Sequence, residues 1–182
     1  MNKPILIVSI SVAALAIGTA IAARNEHAPT VPTRPAFSEF HGFEGWSVIA
    51  VSENGGKIAA ILGNPVIIAA YKSGIPGNGK PFPNGSRMAK VHWIPKHQQT
   101  QPGDPVVPGT LHDVDFMVKD SERFADSGGW GWAAYEYEAA SGKFRPANLS
   151  DAPPQGNDAK CGFACHTIVK THDFVFTEYA KR

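Results

Sequence analysis

Residue types that could attach a prosthetic group occur close together near the C-terminus, where Cys161, Cys165 and His166 fall within one short segment. A cysteine pair followed at once by histidine is the pattern that attaches c-type haem, with two thioether bonds and an imidazole nitrogen on the iron. The usual spacing has two residues between the cysteines, and this chain has three. We therefore expect a longer reach between the attachment points and a bulged local backbone.

Two other uses of the cysteine pair are open on spacing alone. A structural zinc site needs about four ligands, and the sequence has no second cluster of cysteine and histidine. A disulfide across three residues is the other alternative, since two cysteines in an oxidising compartment form one by default. The adjacent histidine favours haem over both.

The N-terminus has the layout of a secretory signal. Lys3 precedes an uncharged run from Ile5 to Ala23, and small residues crowd its end, with an Ala-x-Ala-like site ending at Ala22. Residues 1–23 are therefore interpreted as a signal peptide. An uncleaved membrane anchor is the alternative, because the run approaches the roughly 20 residues that span a bilayer. In both cases we expect the rest of the chain to be exported to the periplasm.

Length and composition indicate one domain after a linker. The chain has 182 residues, a hydrophobic fraction of 43% and a formal net charge of +1, which is enough for a core and gives no support for nucleic acid as a partner. Residues 24–39 are rich in proline and are predicted to be a flexible linker. The domain is expected to span residues 40–182.

The elements that must position the cysteine segment are short strands separated by turn signals. Strands are predicted at residues 46–51, 57–62, 88–93, 111–119 and 130–138. A helix is predicted at 65–72, with proline in its first turn, and a shorter one at 121–125. Loops are predicted at 74–85 and 95–109, and residues 139–160 are interpreted as irregular. This pattern predicts an α+β fold, mostly an antiparallel β-sheet with a few helices on one face.

The aromatic residues of the last predicted strand and three further histidines are expected to have structural or solvated positions. Trp130, Trp132, Tyr135 and Tyr137 are expected to fill the core rather than cover a haem, because aromatics at period two mostly fill a sheet face. Solvated positions by turns or loop ends are expected for His41, His97 and His112.

Several motifs in the chain resemble the cytochrome P460 family. They are the run from Met117 to Ala125 followed by Gly129-Trp130, the run from Asp173 to Tyr179, Asn64-Pro65, and the run from Phe82 to Ser86 before Lys90. The motifs occur in the family's order, and the resemblance covers about residues 43–180. It implies a small, mostly antiparallel β protein, usually a homodimer, with one covalently attached haem c per chain.

The resemblance also implies roles for two residues on the predicted sheet. Some members of the family join a lysine to the haem ring and oxidise hydroxylamine, and Lys90 matches that lysine by its place in the strand after the turn. Asp115 falls where these members place a distal glutamate, which could take protons from the substrate as a general base. Other members, the β-sheet cytochromes c′, lack the crosslink and bind nitric oxide or carbon monoxide in an apolar pocket.

Strand alternation is compatible with these roles but does not require them. Lys90 shares a face with Met88 and His92, and Asp115 shares one with Asp113. The alternatives are a surface lysine on an edge strand and a solvated face of acidic residues.

The sequence therefore predicts an exported haem oxidoreductase that acts on hydroxylamine or a related small nitrogen compound and passes electrons to a partner cytochrome. In this reading His166 is the metal ligand, while Lys90 and Asp115 are catalytic. The alternative is a protein that binds nitric oxide or another diatomic gas without turnover. A domain that has lost its haem is a third alternative, favoured only by the long cysteine spacing.

Overall fold

The structure is a computed structural model that describes residues 35–147 and 159–181, with side chains described from residue 162 onward in the second range. The predicted signal peptide and most of the predicted linker lie outside the described residues. Within the described part of the chain, no helix is long and apolar enough to cross a bilayer.

A six-stranded antiparallel sheet forms the centre of the described chain, with its strands in sequence order. The strands are β1 Ser47–Asn54, β2 Lys57–Gly63, β3 Arg87–His97, β4 Val106–Lys119, β5 Trp130–Glu138 and β6 Lys143–Pro146. The α-helices are α1 Pro65–Lys72 and α2 Ala159–His166. Short 3-10 helices occur at Phe37–Phe40, Phe43–Gly45, Ala125–Ser127 and Thr167–His172. The predicted α+β fold with a mostly antiparallel sheet is confirmed.

Local sequence signals account for the first hairpin and for α1. Gly55 and Gly56 join β1 to β2 with φ of 59° and 73°, values that glycine adopts without steric cost in a two-residue turn. The side chain of Asn64 accepts a hydrogen bond from the backbone N–H of Ile67 and caps α1. Pro65 follows at the first helical position, as predicted.

Strands β3 and β4 are longer than predicted, because the segment 95–109 is not wholly a loop. β3 continues to His97 and β4 begins at Val106. Pro95 and Pro108 lie opposite each other in the ladder, beside a shift in register. Proline has no N–H to donate, and irregular points of a ladder tolerate it. The proline content therefore misled the prediction.

The predicted short helix at 121–125 is wrong. Residues 121–124 form turns, and a 3-10 helix begins only at Ala125. Oδ1 of Asp120 accepts hydrogen bonds from the backbone N–H groups of Glu122 and Arg123, an arrangement that stabilises a turn.

Strand β6 lies within residues 139–160, which were predicted to be irregular. It has four residues, of which Lys143 and Arg145 are exposed and Phe144 and Pro146 are partly buried. A short edge strand with charged outer positions gives little periodic signal.

One face of the sheet buries a set of side chains that we call the aromatic cluster: Phe40, Phe43, Leu62, Ala89, Val91, Val114, Phe116, Val118, Phe124, Ala133 and Tyr135. The rings of Phe40 and Phe116 stack with their centroids 3.9 Å apart. Pro35 is buried, and its carbonyl accepts a hydrogen bond of 3.1 Å from the Tyr135 hydroxyl. Residues 35–39, assigned to the linker from sequence, are therefore packed against the sheet.

A second set of buried side chains, which we call the site-face cluster, joins α1 to the sheet and to the C-terminal segment. Its main members are Ile49, Ile61, Ile67, Ile68, Ala70, Tyr71, Phe82, Met88, Met117, Trp130, Trp132 and Val175. The hydroxyl of Tyr71 donates a hydrogen bond of 2.8 Å to the carbonyl of Thr177. This bond fastens the C-terminal segment to α1, beside the residues described next.

Candidate functional site

A half-open cavity of about 150 Å³ is lined by residues of the sheet, of α2 and of the C-terminal segment. Three of the predicted site residues, Lys90, Asp115 and His166, line it together. The apolar residues around them include Ile61, Met88, Phe116, Met117, Trp132, Val175 and Phe176. The cavity therefore combines an apolar wall with an amine, a carboxylate and an imidazole.

The sheet register brings Lys90 and Asp115 together. They are directly opposed between β3 and β4, where side chains on one face lie roughly 5 Å apart at Cβ. β3 lies between β2 and β4 in the sheet, so Lys90 is not on an edge strand. Its neighbours Ala89 and Val91 are buried in the aromatic cluster on the other face, as the alternation predicted.

His166 is the last residue of α2 and is held by the C-terminal segment. Its Nδ1 lies 2.6 Å from the carbonyl oxygen of Phe174. Because a carbonyl only accepts, Nδ1 carries the hydrogen and donates it, which leaves the lone pair of Nε2 for a ligand bond. The ring contacts Trp132 and Phe176, with centroid distances of 5.6 Å and 5.0 Å.

Burial lowers the pKa of His166, and this is the largest influence on it. The hydrogen bond to Phe174 acts in the opposite direction, and the positive charge of Lys90 lowers the pKa further. The imidazole is therefore neutral at physiological pH, which is the form that binds a metal.

The cysteine segment is helical and does not form the expected bulge. Residues 161 and 165 both lie in α2, and a separation of four residues corresponds to about one turn of an α-helix. Helical periodicity thus accommodates the three-residue spacing without a bulge. Cys165 is free and exposed, while the side chain of Cys161 lies outside the described atoms.

Close packing between Gly162 and Trp132 seats α2 on β5. A Cβ atom at residue 162 would lie only 2.7 Å from Cγ of Trp132. The indole Nε1 of Trp132 is buried and has no hydrogen-bond partner among the described residues. An unpaired buried donor is costly, and an acceptor group on a bound molecule would satisfy it.

Sequence reasoning placed Trp132 in the core and gave Phe176 no role, although both line the cavity. Strand pairing could have placed Trp132 at the cavity. Trp132 on β5 is the register partner of Met117 on β4, so the two side chains lie on the same face of the sheet. Phe176 lies in an extended segment outside the sheet, where no period indicates its direction.

Beside the cavity, Asp113 is the centre of a charged network. It accepts hydrogen bonds from Lys57 at 2.9 Å and from His112 at 2.5 Å, and it also pairs with His92. Burial raises the pKa of Asp113, but these partners outweigh burial and hold the pKa well below its usual range. Nδ1 of His92 lies 3.9 Å from Oδ2 of Asp115, so the network reaches the edge of the cavity.

The donor atoms of His92, Asp113 and Asp115 lie within 4.8 Å of one another, a spacing that could hold a metal ion. Lys57 and His112 already hydrogen bond to the carboxylate of Asp113. The network is therefore complete without a metal ion.

The residues at the cavity fit haem. A porphyrin has an apolar ring, carboxylate side groups and an iron that takes an axial imidazole. The apolar wall, the indole N–H of Trp132, which no described residue pairs, and the neutral imidazole of His166 provide a counterpart for each of these. An antiparallel sheet with such a cavity on one face is the arrangement expected of a haem-binding β protein.

The family model for cytochrome P460 matches residues 40–177. This is most of the chain, which therefore belongs to the cytochrome P460 family, a family of haem proteins. A search of curated proteins found no match to the sequence.

Proposed function

We propose that the chain is an exported c-type haem oxidoreductase acting on hydroxylamine or a related small nitrogen compound. The observation that carries the proposal is the opposed pair Lys90 and Asp115 in the cavity that also contains His166. A cavity for gas storage alone needs neither an amine nor a carboxylate.

Each residue of the site has a separate role in this proposal. His166 would bind the iron through Nε2, and Cys161 and Cys165 would attach the ring by thioether bonds. When bound, haem would supply an iron for electron transfer between the nitrogen compound and a soluble acceptor, for which a partner cytochrome is the expected class.

Asp115 removes protons from the substrate. Oxidation of hydroxylamine releases protons together with electrons, so a carboxylate at the cavity can act as general base. The side chain of Asp115 is 46% exposed, which lets it pass each proton on to water. Lys90 would alter the electronic properties of the ring through a covalent bond from its amine nitrogen. Forming that bond replaces one N–H and one ring C–H bond and needs a two-electron oxidant such as a peroxide, which is reduced to water.

The second candidate is a protein that binds nitric oxide or another diatomic gas without turnover. The apolar side chains of Met88, Met117 and Phe176 favour it, since small neutral gases need no polar partner. In that case Lys90 carries no crosslink and Asp115 is a solvated residue at the rim.

An absorption spectrum distinguishes the two candidates. The protein is produced in a host that matures c-type cytochromes, denatured, and tested for haem that stays on the chain. A broad Soret band far to the red, with reduction of a soluble acceptor on addition of hydroxylamine, supports the enzyme. An ordinary c-type spectrum with ready nitric oxide binding supports the gas binder, and a colourless protein contradicts both.

Cysteine variants test the attachment. Because the proposed Lys90 crosslink would itself keep haem on the chain, the cysteine variants are made in a Lys90→Ala background. There we expect one thioether bond in each single variant, Cys161→Ala and Cys165→Ala, and in the double variant haem that is lost on denaturation. Haem retained by the double variant would contradict attachment through these thiols.

Export and homodimerisation remain predictions. N-terminal sequencing of protein recovered from the periplasm tests signal cleavage, and light scattering of the purified protein tests the dimer.

A further inference from the structure

The corner that follows the last 3-10 helix has an unusual backbone. Asp173 and Phe174 are consecutive non-glycine residues with φ of 50° and 63°. Aspartate tolerates the left-handed region, but a bulky residue such as phenylalanine rarely occupies it. The surrounding structure must therefore hold this corner in place.

A buried ion pair holds the corner from the side of the sheet. Nζ of Lys119, at the end of β4, lies 2.7 Å from Oδ1 of Asp173, and the two side chains are only 6% and 11% exposed. Oδ2 of Asp173 accepts a hydrogen bond of 2.8 Å from the backbone N–H of Phe82. Lys119 also donates to the carbonyl of Gly128 at 2.9 Å. Both charges are thus well hydrogen bonded, as a buried pair requires.

The ring of Phe174 packs against the same region. A Cβ atom at Gly128 would lie 2.1 Å from the Phe174 ring, so only glycine leaves room for it. The ring also stacks on Phe163 of α2, with centroids 6.2 Å apart. Side chain and backbone of the corner are therefore both constrained.

The corner ends at the residue that orients His166. The carbonyl of Phe174 accepts the hydrogen bond from Nδ1 of His166. The direction of this carbonyl is set by the backbone angles of Phe174, the second residue of the corner. A carbonyl acceptor on Nδ1 fixes the tautomer and orientation of a ligating histidine and raises its basicity.

We propose that the Lys119–Asp173 ion pair is a positioning element for His166, acting through the backbone of Phe174. The proposal rests on the proposed ligation of haem by His166. With the pair intact, the carbonyl stays on Nδ1 and makes the imidazole a stronger electron donor, which stabilises the ferric state. When the pair is broken, the hydrogen bond weakens and the reduction potential rises.

Two single variants of the haem-loaded protein test the proposal by redox titration. Lys119→Met removes a positive charge, and Asp173→Asn removes a negative one but retains an acceptor for Phe82 and a residue that tolerates positive φ. If the pair positions His166, the reduction potential shifts upward in both variants. Through-space charge effects alone would shift it downward in Lys119→Met and upward in Asp173→Asn.

The control is Glu39→Gln, which breaks another partly buried ion pair. Glu39 and Arg123 form two hydrogen bonds of 2.7 Å and 2.9 Å beside the aromatic cluster. We expect this variant to lose stability while its potential stays unchanged. Opposite shifts in the two test variants, or unchanged potentials in both, overturn the proposal.

Nitrogen NMR of the diamagnetic ferrous carbon monoxide form gives a second readout. We expect the Nδ1–H signal of His166 to move towards that of a weaker hydrogen bond in Asp173→Asn, the milder variant. An unmoved signal contradicts the proposal even if Lys119→Met fails to take up haem. The absorption spectrum of His166→Ala distinguishes failure of the ion-pair proposal from failure of the proposed function. An unchanged spectrum in that variant shows that His166 is not the haem ligand.

Discussion

Lys90 and Asp115 lie directly opposite each other on β3 and β4, and both line the cavity that contains His166. The register between β3 and β4 therefore sets the positions of two candidate functional groups. Because side chains alternate along a strand, a slip of one residue would turn either group to the aromatic cluster. The pairing of β3 with β4 is thus as important for the site as the identity of the two residues.

Replacing Lys90 tests the proposed crosslink. We expect Lys90→Ala to return the Soret band of the haem-loaded protein to the position of an ordinary c-type haem, because no amine remains to bond to the ring. Lys57→Ala is the matched control, since Lys57 pairs with Asp113 and is not among the residues lining the cavity. An unchanged Soret band in Lys90→Ala would show that the crosslink assignment is wrong.

Replacing Asp115 tests proton transfer. General base catalysis contributes about 10²- to 10⁴-fold, so we expect Asp115→Asn to lower hydroxylamine turnover by roughly that factor while nitric oxide binding is unchanged. Steady-state kinetics and ligand titration measure the two effects. Asp104→Asn, an exposed carboxylate paired with His97, is the control. Equal turnover in Asp115→Asn and wild type rules out the general-base role.

Acid unfolding tests the network around Asp113. Its pKa in the folded protein lies below the ordinary value of 3.8, so the carboxylate stabilises the fold above about pH 4, and this contribution is lost as the pH falls towards the folded-state pKa. We expect Asp113→Asn to cost about 2 kcal/mol at pH 7 and less at pH 3. Denaturant titrations at both values measure it. A cost independent of pH would show that the charge of Asp113 is not responsible.

Replacing Gly162 tests the seating of α2 on Trp132. A Cβ atom at residue 162 would overlap the indole, so we expect Gly162→Ala to lose about 1–3 kcal/mol and to take up less haem. Alanine has a higher helix propensity than glycine, so propensity alone predicts that Gly162→Ala gains stability. Gly45→Ala, where no atom lies within 4 Å of the added carbon, serves as control. Unfolding free energy and haem content are the measurements, and a stabilised Gly162→Ala protein contradicts the packing argument.

Much of the fold could be predicted because its signals are local. The start of α1 at Pro65 and the alternation on either side of Lys90 each depend on a few neighbouring residues. The continuation of β3 past Pro95 and the short strand β6 were missed because their pairing partners, rather than their own composition, determine them.

The site could be predicted only in part. Lys90, Asp115 and His166 were found from spacing and from the resemblance. The burial of the Trp132 indole N–H without a partner in the described part of the chain, and the hydrogen bond from His166 to Phe174, depend on how distant segments meet. The left-handed corner at Asp173 gives no sequence signal, since neither residue is a glycine.

Successive residues of β4 contribute to two different parts of the molecule. Val114, Phe116 and Val118 are buried in the aromatic cluster. Asp115 and Met117 line the cavity, and Met117 also belongs to the site-face cluster. Reactivity can therefore diversify at residues 115 and 117 of this strand while residues 114, 116 and 118 preserve the fold. A library randomised at the first two positions should yield many soluble proteins with altered chemistry, and one randomised at the other three should yield few that fold.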